Sequence, residues 1–194
     1  MDNDPIEMLI DQEVSRIDRL PTKLRRFVFR GERAGGFEQS WGYFAHGYNR
    51  AFQDLAREAL RLWPRAEYLR LPVFFLARHS LELAIKEVID RLSQAASVRP
   101  ELAGHKLLDL WTELSRRLSA SWAQSDDSWR AYCGQLIKHL HDSDPDGERF
   151  RYPQSRSGIP FEYSRVVLED LVKAQWNVYA YCDAVLSELD SSLP

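Results

Sequence analysis

Arg78, Glu82 and Lys86 follow one another at four-residue steps, with His79 and Ser80 beside the first of them. On a helix that spacing makes one polar stripe, and each pair along it contributes only about 0.2–0.5 kcal/mol. So small a gain does not account for an arginine, a histidine and a serine interrupting an apolar stretch. Facing a cleft, Arg78 could hold a phosphate or carboxylate bidentately, and His79 could move a proton near neutral pH. Facing inward, Arg78 would instead pair with an acid of another element, and His79 would be a satisfied, partly buried histidine.

His105 follows Gly104 at the start of another helical pattern, where its ring could cap that helix or reach the apolar one. His139 and His141 are two residues apart, so on a helix they face different ways and make no metal pair. No metal and no cofactor are expected. Gly-x-Ser-x-Gly, the P-loop and the dinucleotide fingerprint are all missing from the sequence.

A second group lies at residues 144–153, where Asp144, Pro145, Asp146 and Gly147 give turn chemistry and Glu148, Arg149, Phe150, Arg151 and Tyr152 alternate charge with rings. The alternation, with a return segment at Ile159, Pro160, Phe161, Glu162 and Tyr163, predicts a small β-hairpin inserted before the last helix. Arg149, Arg151 and Arg156 around Phe150 and Tyr152 suit gripping phosphates and stacking bases. Alternatively the rings plug the helices while Arg151 bonds Glu82 or Asp144. Glu82, Asp144 and Tyr152 would then be a structural polar network.

The elements that must position these groups are helical. Apolar residues recur at three- and four-residue steps over 5–20, 37–63, 72–92, 105–121, 126–140 and 165–189. The 72–92 stretch is apolar on more than one face and should be the central helix. The chain of 194 residues supports one core, so a single helical domain is expected, with residues 1–70 carrying N-terminal helices and 72–190 the core. Cys133 and Cys182 read as small core residues. No apolar run reaches the roughly 20 residues of a membrane span, and the acidic start lacks a secretory pattern, so a cytoplasmic protein is expected.

Net charge is −3, yet Arg16, Arg19, Lys23, Arg25, Arg26, Arg30 and Arg33 gather near the N-terminus. Such a cluster can attract phosphates on an acidic protein, with Arg25, Arg26 and Arg30 as candidate nucleic-acid contacts. A solvated helical face, or a surface for an acidic partner, is the plainer reading. Trp41, Tyr43, Tyr48 and Trp63 could instead serve a purely structural dimer.

Three blocks taken together resemble bacterial helical proteins related to HEPN domains. They are Leu76-Ala77-Arg78-His79-Ser80-Leu81-Glu82-Leu83-Ala84-Ile85-Lys86, Gly104-His105-Lys106-Leu107-Leu108-Asp109-Leu110-Trp111, and the stretch from Asp144 to Pro153. The resemblance implies an all-α, up-and-down helical bundle, frequent homodimerisation, and a place in toxin–antitoxin or other anti-phage defence systems. Active HEPN ribonucleases pair an arginine with a histidine across four to six intervening residues and cut RNA without metal. Here only Arg99 and His105 fit that spacing, with Pro100 directly after the arginine. The resemblance therefore implies an accessory subunit binding RNA or a nucleoprotein. Its alternative is a metal-independent endoribonuclease using His79, His105 and Arg78.

Overall fold

The computed structural model describes residues 4–14, 39–100, 102, 104–121, 128–162 and 167–192. The chain divides into two units, Met1–Ala34 and Gly35–Pro194. In the first, helix α1 spans Pro5–Val14, with the Asp4 carboxylate accepting from the Ile6 amide at 2.8 Å as its cap. Arg25, Arg26 and Arg30 lie outside the described residues.

The second unit is a bundle of five described helices: α2 (Trp41–Leu62), α3 (Arg70–Ala95), α4 (Leu107–Ser121), α5 (Ser128–Ser143) and α6 (Leu168–Ser192). Ser40 starts α2, its hydroxyl accepting from the Tyr43 amide at 3.1 Å. α2 ends ahead of the cis Trp63–Pro64 peptide and a short 3-10 turn at Glu67–Leu69. Pro72 falls in the first turn of α3, where a missing amide costs nothing.

As expected, α3 is central. Val73, Ala77, Leu81, Ile85, Val88 and Ile89 on it are fully buried, and it packs against α2, α4 and α6. α5 closes the ring between α4 and α6. Because α2 packs along α3, it belongs to the same core as the later helices. Inside that core the Gln175 amide of α6 donates to Asn49 of α2 at 2.9 Å and to the Ser80 hydroxyl of α3 at 3.1 Å. Buried polar groups need such partners, and this one joins three helices. Cys133 and Cys182 are free and buried, and burial pushes the Cys133 thiol up to about 12. Among the described residues no helix is long and apolar enough to cross a membrane, and no metal-holding group of His, Cys, Asp and Glu occurs.

Gly134 marks where α5 meets α4: a Cβ there would stand 2.9 Å from Nε1 of buried Trp111. Alanine in a helix normally gains about 1 kcal/mol over glycine. Here the indole must move, so Gly134→Ala is expected to lose about 1–3 kcal/mol in urea unfolding.

No β-hairpin is seen among the described residues; Tyr163 of the expected return segment lies outside them. Between α5 and α6 the described chain holds one isolated antiparallel bridge, Gln154 with Pro160. Arg151 and Tyr152 do not alternate on a strand, because both their amides donate to the Glu148 carbonyl at 3.0 Å and wind the chain into a turn. The insert is a turn-rich loop seated on α3.

Candidate functional site

The polar stripe of α3 faces inward, and its three charges are almost wholly buried: Arg78 is 4%, Glu82 2% and Lys86 4% exposed. Glu82 is the hub. Its Oε2 accepts from Arg78 Nη1 at 3.3 Å, while its Oε1 accepts from Lys86 Nζ at 2.9 Å and lies 2.8 Å from His105 Nδ1. Burial alone would push this carboxyl up, but hydrogen bonds from Lys86 and His105 outweigh it and hold the group below the usual carboxylate range. Lys86 also sits over the Trp41 ring, 5.2 Å from its centroid.

Arg78 draws two loops onto α3. Its Nη2 donates to the His105 carbonyl at 2.6 Å, and its Nε faces Asp144, 3.3 Å from the carbonyl and 3.5 Å from Oδ2. Asp144, 3% exposed, uses its other carboxylate oxygen to accept from the Arg149 amide at 3.0 Å. Arg78 and Lys86 thus meet Glu82 and Asp144, two cations with two carboxylates, and the buried charge balances. Gly147 completes the seat. Its φ is +72°, and a Cβ there would lie 2.8 Å from Arg78 Nη1, so the turn can close on the guanidinium only with glycine.

His79 stands apart from this network. Its ring meets Tyr48 of α2 edge-on at 4.4 Å and stacks on Phe75 at 5.5 Å. Burial depresses its pKa; the attraction of Glu82 opposes this, and Arg151, Arg78 and Lys86 add to the depression. The unfolded chain therefore binds this proton more readily, so stability is full above the ordinary value of 6.5 and falls as pH drops below it. His79→Phe keeps a ring of similar size. It is expected to flatten the loss of urea midpoint between about pH 7.5 and 5.5.

The loop residues divide by role. Phe150 stacks on Phe74 at 3.6 Å and packs against the core. The Arg151 Nε donates to the Gly147 carbonyl at 2.5 Å, not to Glu82 or Asp144, and its guanidinium lies over Phe75 and Tyr152 at 5.8 and 5.7 Å. Arg149 lies 5.7 Å over Phe161, and Arg156 pairs with Glu148 at 2.6 Å. Tyr152 stands exposed beside Arg151 rather than inside the buried network.

The structure thus brings Arg78, Glu82, Asp144 and His105 together and holds Arg151 and His79 nearby. It does not bring Arg99 to His105. Arg99 follows the end of α3 beside Leu92 and Ala96, whereas His105 contacts Glu82, ten residues earlier than Leu92 and so about 15 Å back along the helix axis. His105 itself is the chemically open member. Its side chain is 67% exposed while Nδ1 is held by a buried carboxylate, an arrangement that orients an imidazole for proton transfer at its other nitrogen. Gly147 was not recognisable as part of the site from sequence, although Asp146-Gly147 did signal a turn. Compared with family models, curated proteins and solved structures, the chain finds no match.

Proposed function

We propose that this chain is a HEPN-like, non-catalytic binding subunit that takes RNA or a nucleoprotein, acting in the cytoplasm as a homodimer or within a larger complex of a prokaryotic anti-phage defence or toxin–antitoxin system. The observation that carries the non-catalytic part is the fate of Arg78. Its guanidinium is buried and engaged by two carboxylates and two carbonyls, which leaves it unsuited to stabilising a reacting phosphate. Binding is supported by the rim above it. Arg151, Tyr152 and Arg156 are exposed there with His105, a mixture of guanidinium and ring that favours phosphate contact and base stacking. The system and its setting rest on the family resemblance alone.

Filter binding of labelled tRNA and total RNA across a salt series tests this. Wild type is expected to bind with an affinity that falls steeply with salt, Arg151→Ala and Tyr152→Ala to bind more weakly, and the RNA to remain intact in EDTA. Absence of binding at low salt would refute it.

A second reading, a metal-independent endoribonuclease, is favoured by one observation, the carboxylate-held and exposed imidazole of His105. On that reading His105 is the acid/base and Arg151 the available phosphate contact. Cleavage that survives EDTA and disappears in His105→Ala would establish it in place of the first.

A further inference from the structure

Beyond the C-terminal half of α3, away from the Glu82 network, a cavity of about 520 Å³ opens against α4. Arg99, Arg116 and Arg117 line it, with Glu113 the one carboxylate among its lining residues. Glu113 is shared: it accepts from Arg116 at 2.8 Å and from Arg117 Nε at 2.6 Å. The hydrogen bond from Arg116, opposed by burial and reinforced by Arg117, keeps this carboxyl below its ordinary range, so it stays charged. Arg117 is further anchored by Nη1 donating to the Ser93 hydroxyl at 2.7 Å. Arg99 has no hydrogen-bond or ion-pair partner among the described residues.

Among the described residues that line it, three guanidiniums against one carboxylate leave two positive charges in excess. The C-terminal end of α3 opposes them with only about half a negative charge. Its Leu92, Ser93 and Gln94 carbonyls are also occupied. Ser97 adopts φ 53°, and the Val98 amide returns to the Ser93 carbonyl at 2.9 Å while the Ser97 amide returns to Gln94 at 3.0 Å, closing the helix in a Schellman turn. The described lining therefore presents a net positive field, with the Arg99 guanidinium as its exposed fork. Leu92, Ala96 and Val98 give it an apolar wall. Its volume lies in the range of small-molecule sites, whose walls are mostly apolar with a few placed polar groups.

We propose that this cavity binds a phosphate-bearing small molecule of about nucleotide size, its phosphate held by Arg99 in the positive field of Arg116 and Arg117 and its body laid on the aliphatic wall. The Arg99 fork matches phosphate oxygens bidentately, while Arg116, whose Nε and Nη2 donate to Glu113, adds its charge, and Arg117, fixed by Ser93 and Glu113, supplies a rigid positive floor. The site is independent of the RNA-binding reading and does not use its residues.

Calorimetric titration of the full chain with inorganic phosphate, adenosine and AMP decides it. AMP is expected to bind saturably and more tightly than either phosphate or adenosine alone. Arg99→Ala is expected to weaken AMP by about tenfold or more, as the loss of a charge-assisted contact implies, and Arg116→Ala to weaken it by less. Both side chains are exposed, so the fold survives their removal, and an unchanged thermal midpoint without ligand checks this. No saturable binding of any probe below about 1 mM would overturn the proposal. So would equal affinity for adenosine and AMP, or AMP binding unaltered in both variants. Equal affinity for phosphate and AMP would overturn the assignment of size.

Discussion

Glu82→Ala is expected to destabilise the protein by about 3–5 kcal/mol, read as a fall in the urea midpoint at unchanged slope. The substitution removes the shared acceptor of Arg78, Lys86 and His105 and leaves two nearly inaccessible cations a few turns apart on one helix. Asp144 still faces Arg78, but on the Nε side only. Lys86 keeps only the Trp41 ring among its contacts described above. Domains of this size are stable by roughly 5–15 kcal/mol, so the loss is a large fraction of the whole. The sign with pH follows from the depressed carboxyl. Its contribution is present above the ordinary value of 4.5 and is lost as pH falls through the lower folded value, so wild type should show a steeper acid decline than the variant. A midpoint shift worth less than about 1 kcal/mol would mean that water reaches the cations and that the network is not closed.

The parts of this arrangement that were legible in the sequence are those set by local periodicity. Four-residue spacing put Arg78, Glu82 and Lys86 on one stripe, and the all-round apolarity of their helix made it central; both hold in the bundle. That Arg78 could pair with an acid of another element also followed, since an arginine on a buried face needs one. What spacing could not give was which atoms meet across long stretches of chain. The Glu82 contact with His105 spans 23 residues, and that of Arg78 with Asp144 spans 66. The hairpin failed for a different reason. Phe150 and Tyr152 alternate like strand residues, but four residues of period two carry little information, and the Glu148 carbonyl captures both following amides before a partner strand can. The positive cavity escaped notice because Arg99 and the Arg116–Arg117 pair come together only when α3 and α4 pack.

Arg78→Met tests whether one guanidinium holds both loops on the central helix. Methionine keeps much of the volume but donates nothing, so the His105 carbonyl loses the guanidinium, the Asp144 carbonyl keeps only the Gly147 amide, and Glu82 is left to Lys86 and His105. A global loss of about 3–5 kcal/mol is expected, since an ion pair is broken from one side. The more diagnostic result is local. The amides of Gly147, Arg149 and Arg151 donate to the Asp144 carbonyl, the Asp144 carboxylate and the Glu148 carbonyl, and all three sit in the turn that Arg78 seats. In hydrogen exchange under native conditions these amides should speed up by more than those of α4 and α5, as a loop released from its anchor opens without the helices. Combining Arg78→Met with Glu82→Ala should cost clearly less than the two losses added, because each single change strands a charge that the other removes. Additive losses, or exchange that rises equally across the bundle, would show that the guanidinium contributes to the core as a whole and that the loop is held by Phe150 on Phe74 instead.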